Sequence, residues 1–249
     1  MKRHATNALP LPRRDWALFL DFDGTMTELA PSPDAVSVDP ALRPLLAALE
    51  QSLGGALAVV SGRPLAELDA LLGLELPGAG VHGLELRERR GGLVHPPQDM
   101  AAIRVIEHAL APMVEADPRL ILEPKPGAIA FHYRRAPERE AECRAAMARA
   151  LDGLKGVVLI DGKMVLEVKP DHVNKGVAIS RLLAVEPFSG RIPVFAGDDR
   201  TDEDGFEVVN AMKGVTIKIG PGDTRASHRI PSVDALLAWL KEMSGLLSA

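Results

Sequence analysis

The sequence predicts an α/β protein, a parallel-sheet core interrupted by an inserted α+β segment. Three observations carry this reading. Short apolar runs at 16–20, 56–60 and 193–196 each stop at polar residues, led by Asp21, Ser61 and Asp198. Helical patterns alternate with those runs, the rhythm of βα units feeding a parallel sheet. Between 87 and 169 the rhythm changes to alternating strands in pairs, with helices between them. The expected core is Rossmann-like, from residues 1–86 and 170–249, with the insert at 87–169.

The first run, 16–20, is long enough for a buried strand and too short for a helix. It leads into Asp21-Phe-Asp23 and turns at Gly24. Residues 40–53 set Leu42, Leu45, Leu46, Leu49 and Leu53 on one helical face. The strand at 56–60 ends at Ser61-Gly-Arg-Pro64, and Pro64 can open the next helix because its missing N–H is no loss there. Gly78, Gly80 and Gly83 spell a Gly-x-Gly-x-x-Gly decoy. A Pro-Gly loop before it and a polar, Arg-rich stretch after it lack the strand and helix of a dinucleotide site.

In the insert, a helix is expected from about Asp99 to Glu115, then strands at 120–125 and 128–134 joined by a Pro-Gly turn. The second strand alternates, with Ile129, Phe131 and Tyr133 on one face and Ala128, Ala130, His132 and Arg134 on the other. A second helix at 137–151 is followed by a hairpin, 157–160 and 164–169, turning at Asp161-Gly162. The order αββαββ suits a small domain with both helices on one sheet face. Glu123 shares a face with Lys125, and Glu167 with Lys169, directed toward the mouth of the core if the apolar faces pack on the helices. The core then resumes with a helix at 175–184, strands at 193–196 and 214–219, and a terminal helix at 233–243.

Composition narrows the function. The chain has 249 residues and is mildly acidic, 29 Lys+Arg against 34 Asp+Glu, which argues against a broad nucleic-acid footprint. A single cysteine, Cys143, excludes an internal disulfide framework and fits a reducing compartment. It sits in a helical stretch without a neighbouring base and reads as an ordinary helix residue. Residues 1–14 lack a continuous apolar stretch and do not read as a signal peptide. No apolar run approaches a membrane span. A soluble cytoplasmic monomer acting on a small molecule is expected, with no nucleic-acid or membrane partner. Aromatics are only 4%, which moves recognition from stacking toward hydrogen bonds and charge.

Four sets fall at strand ends or helix starts of the core: Asp21/Asp23, Ser61, Lys175 and Asp198/Asp199/Asp202. Strand carboxyl ends are where open α/β sheets bind ligands. Two close carboxylates repel unless a cation lies between them. A hard divalent ion relieves this through oxygen ligands and usually arrives with substrate phosphate. An EF-hand reading of 198–205 fails because Arg200 occupies its first ligand position. Each set alone can be a polar turn or a solvated loop. Together they supply the parts of phosphoryl transfer through an aspartyl intermediate: a nucleophilic carboxylate, an acid/base, a hydroxyl and a lysine for the phosphoryl oxygens, and metal-holding acids.

Asp21-Phe-Asp-Gly-Thr25, Ser61-Gly-Arg63, Asn174-Lys175-Gly176 and Gly197-Asp-Asp-Arg-Thr-Asp-Glu203 resemble, in order, the four motifs of the haloacid dehalogenase-type phosphatases. The insert resembles that family's C2-type cap. With Gly80-Val-His-Gly-x-Glu85, Leu122-Glu-x-Lys125 and Leu166-Glu-Val-Lys-Pro170, the pattern is similar to the trehalose-6-phosphate phosphatases among them, over roughly residues 15–243. The resemblance implies a Mg²⁺-dependent phosphoric monoester hydrolase of trehalose biosynthesis.

It implies that Asp21 is the nucleophile and a Mg²⁺ ligand, and that Asp23 is the general acid/base and a ligand through its backbone carbonyl. Ser61 and Lys175 bind the phosphoryl group, with Lys169 a competing candidate for that lysine. Asp198 ligates Mg²⁺ directly, Asp202 acts from outside or through water, and Thr25 and Asp199 support the shell. Glu123, Lys125 and Glu167 match sugar-binding positions, joined by Arg63 and His82. Alternatives are a sibling phosphatase of sucrose phosphate or mannosylglycerate phosphate, and a non-catalytic phosphosugar-binding module.

Overall fold

The computed structural model describes residues 9–30, 35–94 and 101–248. Most of the segment read against a signal peptide, and the start of the helix expected from Asp99, lie outside these residues. The chain divides into two compact units, Met1–His95 with Asn174–Ala249, and Pro96–Val173. Residues 87–95 fall with the first unit.

The first unit begins with β1 (Trp16–Leu20), α1 (Leu42–Ser52), β2 (Leu57–Val60), α2 (Leu65–Leu72), β3 (Gly78–Gly80) and β4 (Glu85–Arg87). The second contains α3 (Ala101–Ala116), β5 (Ile121–Lys125), β6 (Ala128–His132), α4 (Glu140–Leu151), β7 (Val157–Gly162) and β8 (Val165–Pro170). The first resumes with α5 (Lys175–Leu183), β9 (Ile192–Gly197), α6 (Glu203–Ala211), β10 (Val215–Ile219), β11 (His228–Ile230) and α7 (Val233–Ser248).

The strand order of the first unit is β11-β10-β9-β1-β2-β3-β4, parallel throughout except for β4. Every residue of β1 and β2 is buried, as expected where both sheet faces are covered. Phe19 stacks on Phe188 at 5.4 Å between ring centres, and Phe195 meets Phe206 at 5.3 Å. β1 lies between β9 and β2, so the strand order reverses around it. The carboxyl ends there form the switch point where such sheets bind ligands.

Three core features differ from the sequence reading. Gly78–Gly80 is itself a strand, followed by a 3-10 turn and the antiparallel strand β4. The decoy therefore lacks its helix but does have a strand. Three residues, two of them glycine, show no side-chain periodicity to read. β11 and α6 were likewise not anticipated. β11 is three residues long, and α6 starts inside the acidic Asp198–Gly205 run.

The second unit is a four-stranded antiparallel sheet, β5-β6-β8-β7. Ile103, Ile106 and Leu110 of α3 and Cys143 and Met147 of α4 pack with Ile129, Phe131, Leu166 and Val168. Cys143 is buried, and burial pushes its thiol pKa up, so it is an inert core residue. The β7–β8 turn lies two residues later than the Asp161-Gly162 expected from the sequence. Gly162 pairs with Val165 and Asp161 with Leu166, so Lys163-Met164 make the turn, with Met164 at φ 62°. Asp161 is a strand residue, and Arg144 donates to both its oxygens, at 2.7 and 2.9 Å.

Candidate functional site

The carboxyl end of β1 delivers Asp21, and the chain then turns back on itself. Gly24 N–H donates to Thr27 O at 2.8 Å and Met26 N–H to Phe22 O at 2.9 Å. Gly24 adopts φ 78°, and a Cβ there would lie 2.2 Å from Asp198 Oδ2. Only glycine lets this backbone pass so close to the β9 carboxylate. Thr25 Oγ1 donates to Asp21 Oδ2 at 3.0 Å and reaches Asp198 Oδ1 at 3.4 Å.

β9 delivers Asp198, and the turn beyond it delivers Asp202. Asp199 and Asp202 form a reciprocal cap, with Asp199 N–H donating to Asp202 Oδ2 at 2.9 Å. Carboxylate oxygens of Asp21, Asp198 and Asp202 lie within 4.8 Å of one another. Burial, then Asp21, pushes Asp198 up to about 8. Burial also leads in raising Asp202 to about 7, with Lys175 opposing it. Three clustered carboxylates, Asp21 and Asp202 buried and Asp198 partly so, are a donor set suited to a hard divalent cation, which would offset their repulsion.

Lys175 sits on the first turn of α5, behind the N-cap Asn174, whose Oδ1 accepts from Val177 N at 2.8 Å. A cation there opposes the helix dipole. Asp21 Oδ1 and Asp202 Oδ1, each 2.7 Å from Nζ, offset that cost. Burial works against the charge of Lys175, but Asp202 and then Asp21 outweigh it and hold the ammonium above the ordinary lysine range. Of the two lysines weighed from the sequence, Lys175 joins this cluster. Lys169 belongs to the second unit, where it donates to Val173 O.

Beyond β2, Ser61 is buried and its Oγ accepts from Arg63 N at 3.2 Å. Arg63 grips Asp23 with Nε to Oδ2 at 2.6 Å and Nη2 to Oδ1 at 2.9 Å. The Asp23 side chain thus faces Arg63 and stands apart from the three-carboxylate cluster. His82 is buried beside Gly62, where a Cβ would meet its ring at 2.8 Å. Two residues at this site were not singled out from the sequence. Glu67, in the first turn of α2, binds Arg63 Nη1. Buried Lys218 of β10 donates to Asp198 O and to Ile219 O, the latter at 3.1 Å. A lysine inside the apolar strand Val-Thr-Ile-Lys-Ile was the available signal for Lys218.

In the second unit, Glu123, Lys125, Glu167 and Lys169 lie on the sheet face opposite the helices. Lys125 Nζ reaches Glu167 Oε2 at 3.3 Å across β6, and His132 Nε2 lies 2.7 Å from Glu123 Oε2. The His132 contact holds the Glu123 carboxyl below its ordinary range, against the effect of burial.

Residues 19–234 match the profile of the family described as Trehalose-phosphatase. The chain belongs to the trehalose-phosphatase family. It is 41% identical over 235 residues to the trehalose-6-phosphate phosphatase of Escherichia coli (strain K12), covering 93% of this chain and 88% of that one. It is also 41% identical over 234 residues to a probable trehalose-phosphate phosphatase of Sinorhizobium fredii, covering 92% and 88%. Among solved structures, a trehalose-6-phosphate phosphatase related protein superposes with a TM-score of 0.77 at 26% identity, over 92% of this chain and 97% of its own. The sequence-based reading of a phosphatase acting on a small phosphosugar agrees with this membership. Among the described residues, no helix is long and apolar enough to cross a membrane.

Proposed function

We propose that this enzyme hydrolyses trehalose 6-phosphate to trehalose and inorganic phosphate, through an aspartyl-phosphate on Asp21. The observation that carries the mechanism is the convergence of Asp21, Asp198, Asp202 and Lys175 at the carboxyl ends of β1 and β9. An Asp21 oxygen attacks phosphorus as the bond to the sugar oxygen breaks. Asp23 donates its proton to that oxygen, releasing trehalose. Asp23, now a carboxylate, takes a proton from water, whose oxygen attacks phosphorus and frees Asp21 with inorganic phosphate.

Ser61 and Lys175 hold phosphoryl oxygens, and Asp202 keeps Lys175 in place from its other side. Asp21 and Asp198, with the backbone carbonyl of Asp23, are the groups that would hold Mg²⁺. The ion would supply Lewis-acid neutralisation of the phosphoryl charge. Glu123, Lys125 and Glu167 of the second unit supply hydrogen bonds to sugar hydroxyls, and His82 of the first unit is a further contributor. A cytoplasmic location completes the reading, supported by the single, buried cysteine.

The test is phosphate release across trehalose 6-phosphate, sucrose phosphate, mannosylglycerate phosphate and a small aryl phosphate, with Mg²⁺ and with chelator. Trehalose 6-phosphate should give the highest kcat/KM, and chelation should abolish turnover. A preference for another phosphosugar would move the substrate assignment, and full activity in excess chelator would remove the metal.

A further inference from the structure

We propose that Arg63, anchored by Glu67, is a positioning residue that aims the Asp23 carboxylate, and is not a sugar-binding residue. The inference rests on the proposed function, in which Asp23 moves the proton. Nε and Nη2 of Arg63 meet the two oxygens of Asp23 at 2.6 and 2.9 Å, a fork-to-fork pair. Two parallel bonds set the plane of a carboxylate as well as its position. The remaining terminal nitrogen, Nη1, binds Glu67 Oε1. The Arg63 side chain is 10% exposed, against 31% for Asp23 and 38% for Glu67. Its Cζ also lies 5.7 Å from the centre of the Phe22 ring. A guanidinium so occupied has each of its three nitrogens engaged by a carboxylate.

The backbone beneath Arg63 is fixed as firmly as its head. Arg63 N donates to Ser61 Oγ at 3.2 Å, and Arg63 O accepts from Val81 N at 3.0 Å. Val81 and His82 adopt φ of 46° and 55°. A β-branched residue in the left-handed region is strained, and surrounding structure must impose such a conformation. His82 N in turn donates to Ser61 O at 2.9 Å. The turn at 81–82 is thereby bonded to both ends of the Ser61–Arg63 loop.

The fork occupies about two of the roughly four acceptor positions of a carboxylate. Each Asp23 oxygen therefore keeps a position that can carry the proton donated to the leaving oxygen and, once that proton is gone, accept one from water. Misplacing a catalytic group by about 1 Å can cost on the order of a hundredfold in rate. Holding Asp23 by its own plane removes that loss without any contact between Arg63 and the sugar.

The experiment is a double-mutant cycle on trehalose 6-phosphate with Mg²⁺, reading kcat and KM separately. Arg63→Ala should lower kcat by about ten- to a hundredfold, with KM unchanged within about threefold. Glu67→Gln, which keeps the size of a partly exposed side chain, should lower kcat in the same direction but less. In an Asp23→Asn background neither change should slow turnover further, because a group that acts through Asp23 has nothing left to aim. A raised KM with kcat retained would make Arg63 a sugar contact and overturn the proposal. Losses that multiply with Asp23→Asn would overturn it as well. If Arg63→Ala fails to fold, the Glu67→Gln arm of the cycle decides alone. An Asp23→Asn enzyme as fast as wild type would instead remove the proton-transfer role from the proposed function. A slow Asp23→Asn beside a fast Arg63→Ala removes only the positioning role.

Discussion

The Lys175 ammonium donates to Asp21 Oδ1 at 2.7 Å with both side chains at most 5% exposed. Its other partner, Asp202 Oδ1, is also 2.7 Å away and fully buried. With both carboxylates ionised this buried group would carry a net negative charge, and burial together with that repulsion is what raises Asp202 and its neighbour Asp198. The charge balance of the site therefore depends on Lys175 before any substrate arrives. Breaking a buried pair by removing one partner typically costs about 3–5 kcal/mol, because the other charge stays buried. Lys175→Met should lower the urea midpoint of unfolding, with a loss of unfolding free energy in that range, and abolish phosphate release. A midpoint within error of wild type would show that the carboxylates shed their charge at no cost, and would weaken the reading of Lys175 as their counter-ion.

Asp21→Asn removes the proposed nucleophile and a metal-holding oxygen, so turnover should become undetectable. Asp23→Asn should bind phosphate and metal but lose proton transfer, a contribution of about 10²–10⁴-fold. Intact-mass measurement after rapid quenching separates the two, since no Asp21→Asn chain should carry a phosphoryl group. An Asp21→Asn enzyme within about tenfold of wild type, or about 1.4 kcal/mol of barrier, would place the nucleophile elsewhere.

The acidic cluster links the metal to pH. The carboxyls of Asp198 and Asp202 are raised to about 8 and about 7 from an ordinary 3.8. A folded-state pKa above the unfolded value means that the folded chain holds the extra proton. Without metal, these groups therefore make stability fall as pH rises from about 4 toward 8. A divalent cation displaces those protons, so its apparent affinity should rise with pH by up to about tenfold per unit for each proton released. The Mg²⁺-induced increase in Tm should accordingly grow between about pH 5 and about pH 8. Asp198→Asn should flatten that growth. A metal effect on Tm that is independent of pH would show that the carboxylates ionise without the cation.

What was legible in the sequence is explained by burial on both sheet faces. The stretches 16–20, 57–60 and 193–196 read as apolar runs because no face of them meets water, and Asp21, Ser61 and Asp198 stand out beyond them by contrast. Gly78–Gly80 and Glu85–Arg87 carry no comparable signal. The first has almost no side chains, and the second is a three-residue edge. The β7–β8 turn misled because Asp-Gly is the stronger local turn signal. In the fold Asp161 pairs with Leu166 and meets Arg144, 17 residues away in the chain, and neither contact has a local signal. The pairing of Arg63 with Asp23 spans 40 residues and has no local pattern at all, as is also true of Lys218 over the Asp198 carbonyl. The polar residues of the site were legible as types, but which of them pair with each other was not.

The charged sheet face of the second unit tests the substrate. Lys125 and Glu167 form an ion pair at 3.3 Å, with side chains only 13% and 12% exposed. Each therefore has a structural partner as well as a proposed sugar hydroxyl, and a single substitution disturbs both. Lys125→Ala or Glu167→Ala should lower kcat/KM for trehalose 6-phosphate about ten- to a hundredfold, the value of a hydrogen bond to a charged group. A small aryl phosphate offers no hydroxyls, so its turnover should change little. The double variant separates the two roles, since it leaves no unpaired charge behind. If the pair serves only the sheet, the double variant should be more stable than either single and should recover activity on both substrates. If the two groups bind sugar, the double variant should regain stability while its kcat/KM for trehalose 6-phosphate falls below that of either single. Equal losses on the sugar phosphate and the aryl phosphate would assign these residues to folding, and the choice of disaccharide would pass to other groups on that face, of which Glu123, 2.7 Å from His132, is the first to test.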